Sequence, residues 1–572
     1  PSVTVRSRLE RWVRRHALML KYVVLPLLLL SLVTVELRTS IGQAALLSTW
    51  SEAMTYAVEA GPSDRIRYPE HGPYNNRLGY STLPTMADNL TRKGFEVTEQ
   101  ARVSLPMAVT MDAGLYPIYQ HKDQAGLEIL DQRSRSLFAL RYPGRAYTDP
   151  DSIPEMVWRS LLFIENRELM DRSQAYKNPA VEWDRFAMAA FQRIISGGEG
   201  PGGSTLATQL TKVRHSPNGR TDSVPEKLRQ MASASLLAYH DGMETLDDRK
   251  VIVKEYLNQL PLAATANHGE VNGLGDGLRA WYGSDFDTVN AVLTRVPADS
   301  AMSKEKLFRR AVAYRQVLSL LLSTRSPSRY LVVSEGPEAL AELTDHYLPL
   351  MAEAGIISDE LCRMALRADV TVLRRAPERP SASYVTQKAA NSVRMDLLRK
   401  LRITNLPALN RLDLTAHTTF DRDVQQSAAD VLSQLQEPEY LREQGLHWML
   451  GEDVDPANVK YSLVLYERQP HANVLRVQAD NVNGPFDVNQ GSMLELGSTA
   501  KVRVLVTYLE LVERVYAAHA GKDAAALAVL PIPEEDAITQ WTVDYLRRYP
   551  NARHEELLSA AVALRLSVSR SG

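Results

Sequence analysis

The chain has 572 residues, which excludes a single small domain; at roughly 100–200 residues per domain it should hold about three or four units. Hydrophobic residues at 45% and charged residues at 23% are globular values, and 29 Gly with 30 Pro are too few for collagen or low-complexity sequence. Basic (66) and acidic (68) side chains nearly cancel, so nothing in bulk points to a polyanion such as nucleic acid, and one cysteine, Cys362, excludes an internal disulfide framework.

Ala17 to Val35, ALMLKYVVLPLLLLSLVTV, is apolar apart from Lys21. Spanning a bilayer takes about 20 such residues. Lys21, near the start, can reach the headgroups, and Pro26 is tolerable in a membrane helix. Arg6, Arg8, Arg11, Arg14 and Arg15 precede it against Glu10 alone, so the N-terminus is expected in the cytoplasm. SLVTVELRTS offers no clear signal-peptidase site. The segment therefore reads as an uncleaved single-pass anchor, with everything after Arg38 outside the cytoplasm.

Residues 40–145 mix helical stretches with turns such as YPEHGPYNN, and VTMDAGLYPIYQHKDQAGLEILD has short apolar runs that suit strands. From Pro154 to Tyr282 apolar residues recur at i, i+3/i+4 in MVWRSLLFIENREL, WDRFAMAAFQRII, SVPEKLRQMASASLLAYHDG and LDDRKVIVKEYLNQL, so four helices are expected. Residues 301–370 also read as helical, and RRAPERPSAS reads as a linker. After Leu412, SLVLYERQ and ANVLRVQAD look like strands, and a long apolar helix follows Ser498.

The most informative stretch is GPGGSTLATQLTK, Gly200 to Lys212. A glycine loop running through Ser204 and Thr205 into a helix can hold an anion with its N–H groups and hydroxyls, and Lys212 adds a charge. Taken alone, the motif is equally an ordinary Ser/Thr N-cap. Its neighbours add to it. GGSTLATQLTKV resembles the GGSTITQQLVKN motif of glycosyltransferase family 51, the peptidoglycan glycosyltransferase domain of class A penicillin-binding proteins, keeping Gly202, Gly203, Ser204, Thr205, Gln209, Leu210 and Lys212. Glu165-Asn166-Arg167-Glu168-Leu169 stands for the family's Glu-Asp-x-x-Phe, with Glu165 at the catalytic glutamate. RKVIVKEYLN keeps Ile252, Tyr256, Leu257 and Asn258, but has Arg249 for a lysine and Lys254 for a glutamate. GEVNGLGDGLRAWYG resembles a further family segment, and all the matches come in family order over about residues 150–290.

The Arg-Lys-x-x-Glu motif departs most. Glu226-Lys227-Leu228-Arg229-Gln230 keeps Lys227, but places Gln230 at the family's second glutamate and Glu226 at its arginine. Positions 226 and 230 share a helix face, which suggests a carboxylate moved by one turn. The resemblance implies joining of lipid II units into β-1,4 glycan strands with a lipid pyrophosphate leaving. Glu165, ending the apolar run SLLFI, suits the general base for the acceptor hydroxyl. Gly203, Ser204, Thr205, Gln209, Lys212, Lys227, Arg229 and Asn258 are the expected substrate-binding residues, and Arg214 and His215 follow closely. A divalent cation, Mg or Mn, is the one cofactor the resemblance allows, although no ligand cluster of metal-site spacing appears.

A second constellation follows. TTFDRDVQQSAADVL resembles the start of the transpeptidase region of the same proteins, and Ser498-Thr499-Ala500-Lys501 matches Ser-x-x-Lys, a serine nucleophile with a lysine one helical turn on. Ser303-x-x-Lys306 fits the same pattern without such context. Ser567-Val568-Ser569 lacks the asparagine of the next element, and no Lys-Thr-Gly occurs. The transpeptidase part is thus expected to be incomplete, and a chain starting at Pro1 rather than Met reads as part of a longer protein.

The expected architecture is an α+β multidomain chain. It comprises a tail and transmembrane helix (1–40), a membrane-proximal region (41–148), a mainly α, lysozyme-like glycosyltransferase domain (149–300), a helical connector (301–410), and the N-terminal part of an α/β transpeptidase-like domain (411–572). The expected location is the bacterial inner membrane. Expected partners are lipid II, the growing glycan strand, β-lactams at Ser498 and cell-wall synthesis proteins, with no nucleic acid. A competing reading is a catalytically weak scaffold that binds lipid-linked glycan or wall-synthesis partners, on the strength of Gln230 and Lys254. A third, glycan cleavage, lacks the second carboxyl that hydrolysis needs beside Glu165.

Overall fold

The structure is a computed structural model that describes residues 20–183, 204–294, 299, 302–378, 383–385, 387–451, 453–492 and 497–564. The arginine cluster before Ala17, the helix expected over WDRFAMAAFQRII beyond Trp183, Gly202, Gly203 and Ser567–Ser569 lie outside the described residues. Two compact units divide the chain, residues 1–489 and 490–572.

The first unit opens with a π-helical turn, Leu20–Val24, that continues into α1, Leu25–Thr39. None of α1's side chains is buried, and Tyr22–Thr39 is long and apolar enough to cross a membrane. The span ends where a carboxylate can cap the next helix. Ser40 takes a left-handed turn (φ 56°), and α2, Ile41–Glu52, starts with its Gly42 and Gln43 N–H groups donating to Glu36 at 2.7 and 2.8 Å. These N–H groups have no partner inside their own helix, so an acidic side chain here is favourable.

Strands β1 (Tyr56–Ala60) and β2 (Glu99–Val103) pair antiparallel, followed by α3 (Leu105–Asp112). In the segment expected to supply strands, Val109–Asp112 is instead the end of α3, because Ser104 caps Met107 N and Pro106 falls in the first turn, where its missing N–H costs nothing. Only β3, Leu127–Leu130, is a strand there. It pairs antiparallel with β4 (Ser136–Ala139) and parallel with β7 (Leu414–His417), so the membrane-proximal region shares a sheet with residues some 290 positions later.

The helices that carry the motifs are α4 (Glu155–Glu165), α5 (Leu206–His215), α6 (Val224–Ala238), α7 (Leu246–Gln259) and α8 (Leu274–Tyr282), with the hairpin β5 (Pro261–Thr265) and β6 (Gly269–Asn272) before α8. Of these, α4 and α8 pack directly on α9, Lys304–Ser323. In α9 Tyr314, Val317, Leu318, Leu320, Leu321 and Leu322 are fully buried in the same core as Leu161, Leu206, Leu257 and Trp281. The second half of α9 is buried on every side, Arg315 and Gln316 included, as befits a helix threaded through a core. Its Ser303 accepts from Lys306 N, an ordinary N-cap, which accounts for the Ser-x-x-Lys spacing there. The α10 (Gly336–Glu353) and α11 (Asp359–Arg367) helices complete that core through Leu340, Leu348, Leu361 and Ala365.

Next come α12 (Lys388–Leu401), β7, α13 (Arg422–Gln434) and the antiparallel hairpin of β8 (Ser462–Arg468) and β9 (Asn473–Asp480), the last two where strands were expected. The second unit is helical: α14 (Ala500–His519), α15 (Ala537–Arg548) and α16 (His554–Ala563) meet around Val512, Leu557 and Ala561.

Candidate functional site

Glu165 is the last residue of α4. Asn166 leaves helical geometry (φ −160°), so the chain turns and the Glu165 side chain sits, half-buried, at the helix end. Glu165 Oε2 accepts a hydrogen bond from Gln209 Nε2 at 3.1 Å, and Gln209 Oε1 accepts one from Tyr256 OH at 3.1 Å. Gln209 and Lys212 lie three residues apart on α5, so both face this carboxylate. Burial pushes the Lys212 ammonium down while the Glu165 charge pulls it up.

The start of α5 divides its two hydroxyls between different tasks. Thr205 is buried and forms a capping box with Thr208, and its Oγ1 donates to Ala180 O at 3.1 Å. That hydroxyl is committed to the fold. Ser204, one residue earlier, accepts from Lys227 Nζ at 2.7 Å. Lys227 is held down first by burial and then by the Lys212 charge, which places two half-buried ammonium groups near each other and Lys212 within electrostatic reach of Glu165. Like charges kept close in a partly dry site are ready for a polyanion. Lys227→Ala is expected to lower kcat/KM for a pyrophosphate-linked glycosyl donor by about 10²-fold and to leave the unfolding temperature within a few degrees. Steady-state rates set beside a melting curve check both.

The rest of α6 faces elsewhere. Glu226 accepts from Tyr116 OH and Ser216 Oγ, and Arg229 pairs with it at 3.5 Å. Burial alone would raise this carboxyl; the Ser216 and Tyr116 hydrogen bonds and the Arg229 charge outweigh that and hold it below its ordinary value. Gln230, fully buried, donates to Ser216 Oγ at 2.9 Å and accepts from Thr221 Oγ1 at 3.0 Å. Residues 226 and 230 therefore do share a face, and that face meets Tyr116, Ser216 and Thr221. Arg229 is half-exposed over the Tyr116 ring, 5.7 Å from its centroid.

Asn258 lies apart from these groups. It closes on both backbone groups of Tyr147 (2.9 and 2.8 Å) and donates to Asp123, which also pairs with Lys254 at 2.8 Å. The lysine standing at the family's glutamate position thus has its own carboxylate in this chain. Arg249 is buried and donates to Leu169 O, Gln174 O and Lys177 O at 3.1, 2.6 and 2.9 Å, tying down the loop that follows Glu165. Arg214 and His215 are buried rather than solvated. Arg214 pairs with Glu255 at 2.9 Å, and His215 is pushed down to about 3 by burial and the Arg214 charge, which keeps it neutral. Gly72 explains the close approach of the membrane-proximal region: with φ 109°, it passes so near that a Cβ would lie 1.7 Å from Arg214 O.

Ser498 lies in the second unit on a 3₁₀ turn, Gly497–Thr499, directly before α14, and both it and Lys501 are exposed. Among the described residues no group of three or more His, Cys, Asp or Glu side chains is arranged to hold a metal ion. Sequence reasoning missed Tyr116, Ser216 and Asp123 as partners of the motif residues. It named Tyr256 as a kept residue without assigning it the link to Gln209. Only that last one carried a local signal, its place in the YLN motif.

No curated protein matches the chain at a significant level. The family model described as Transglycosylase matches residues 134–344, a span that takes in Glu165, both lysines and the buried α9 helix. This part of the chain therefore belongs to the transglycosylase family, the glycosyltransferase domain of class A penicillin-binding proteins.

Proposed function

We propose that the chain is a membrane-anchored peptidoglycan glycosyltransferase that polymerises lipid II, with Glu165 as general base and its N-terminus in the cytoplasm. One observation carries the reading: the Glu165 carboxylate at the end of α4, held by Gln209 and through it linked to Tyr256, meets the α5 face that also bears Lys212, and the Lys212 charge acts in turn on Lys227, which donates to Ser204. Glu165 takes the proton of the acceptor's 4-hydroxyl as that oxygen attacks the donor's anomeric carbon. The bond from that carbon to the pyrophosphate breaks, and the leaving group carries away the electron pair. Lys212, Lys227 and the Ser204 hydroxyl stabilise the charge that develops. Their partial burial makes each interaction worth more than it would be in water. Purified full-length chain with lipid II should give glycan polymer that lysozyme digests. No polymer where a known transglycosylase works would leave the scaffold reading in its place.

A second activity, acyl transfer through Ser498, is proposed on narrower ground: an exposed hydroxyl at a helix start with Lys501 three residues on. Fluorescent penicillin is expected to label the chain, and Ser498→Ala to lose the label. An unlabelled wild type would remove this activity and leave the transferase reading untouched.

A further inference from the structure

A cavity of about 510 Å³ lies on the opposite side of α5 from Gln209 and Lys212. Three helices build it with stripes at helical spacing: Ala207, Leu210, Thr211 and Arg214 of α5, Ala234, Leu237 and Ala238 of α6, and Asp248, Val251, Ile252 and Glu255 of α7. Small side chains on α5 and α6 leave the space open. Met54 to Tyr56 and Ile118 to His121 of the membrane-proximal region close its other side. The size and the mixture of an apolar wall with a few polar groups are those of a small-molecule site.

The charges along the wall are unevenly matched. Arg214 is paired with Glu255, and Lys254 with Asp123. At the other end, among the described residues, Asp241 pairs with the neighbouring His240 imidazole alone, 3.1 Å away. Asp248 is half-buried and makes no hydrogen bond or ion pair to another side chain among the described residues. Burial and then the Asp241 charge push its carboxyl up to about 6, against a smaller pull from His240.

We propose that this cavity is a second binding site, for a small amphiphile carrying an ammonium group, with its apolar body along the helix stripes and its cation at the Asp241–Asp248 end. The site shares no side chain with the Glu165 cluster, so the proposal does not rest on the transferase reading. The ammonium could belong to a free amine or to a lipid headgroup, and the chemistry recognised is the same.

The test uses full-length chain in lipid nanodiscs and a benzophenone-tagged alkylamine, with its N-acetylated twin as the neutral control. Saturable labelling of peptides spanning 234–240 or 251–255 is expected, at least about fivefold stronger for the amine than for the twin. Asp248→Asn should remove that preference while lipid II polymerisation, if present in wild type, is retained. Ala238→Leu, which narrows the cavity, should weaken labelling by both probes. Equal labelling of wild type by amine and twin, or an undiminished preference in Asp248→Asn, overturns the proposal. Because the first comparison is made on wild type, it does not depend on any variant folding. Suppression of labelling by phosphatidylethanolamine in the disc assigns the amine to a lipid; no suppression assigns it to a free ligand.

Discussion

Glu165→Gln is expected to cut lipid II polymerisation by about 10³-fold, the scale on which a positioned general base contributes, which corresponds to roughly 4 kcal/mol of transition-state stabilisation. The substitution keeps the shape of the side chain and an oxygen able to accept from Gln209 Nε2, so the link through Gln209 to Tyr256 can persist. What it removes is the proton affinity of the carboxylate. The unfolding temperature should therefore stay within a few degrees of wild type while the rate collapses. Glu226→Gln should behave differently. Its carboxylate already accepts from Tyr116 and Ser216 and pairs with Arg229, so it is held ionised by the fold rather than poised to exchange protons. Parallel measurement of polymer formation and melting for both variants decides the matter. A Glu165→Gln protein that polymerises at the wild-type rate would remove Glu165 from the role.

The largest stability effect is expected at Arg249. Arg249→Ala takes a buried guanidinium away from the carbonyls of Leu169, Gln174 and Lys177 and from the Thr245 hydroxyl. Each buried acceptor left without a donor costs about 1–3 kcal/mol, although some are rehydrated in the space vacated. A loss of roughly 3–5 kcal/mol follows, seen as a fall of about 10 °C in the melting of the transferase core. The loop from Asn166 to Asn178 begins one residue after Glu165, so activity should fall at temperatures where the core is still folded. Arg249→Lys should recover little. One ammonium cannot reach carbonyls spread around a planar fork. A melting curve for Arg249→Ala that overlays the wild type would show that the loop is held by other contacts.

The two departures that favoured the scaffold reading, Lys254 and Gln230, look different once the chain is folded. Lys254 stands where a glutamate is usual, yet Asp123 lies 2.8 Å away and Asn258 donates to the same carboxylate. Gln230 stands where a second glutamate is usual, and its amide uses both ends, donating to Ser216 and accepting from Thr221. Asp123, the partner in the first exchange, and Ser216 and Thr221, the partners in the second, lie in segments that no motif covers. The membrane-proximal region supplies Tyr116 and Asp123, and so contributes to the architecture around the motif helices as well as linking them to α1.

Much of this protein is determined by local sequence. The apolar run behind the arginines dictates a membrane-length helix, the i, i+3/i+4 periodicities dictate α4, α6 and α7, and short runs rich in Val and Leu mark β8 and β9. These signals are short-range, because a helix or strand declares itself within a few turns of its own chain. Glu165, Gln209 and Lys212 were legible for the same reason, lying in compact motifs on single helices. The tertiary structure alone decided the rest. It brought Lys227 to Ser204 across 23 residues, Tyr116 to Glu226 across 110, and β3 to β7 in parallel. It set the Thr205 hydroxyl in a helix cap, and buried α9 in the same core as the motif helices. Such pairings leave no local trace, because they depend on which surfaces remain unburied after each helix has formed. That competition among faces is settled only when the whole core packs.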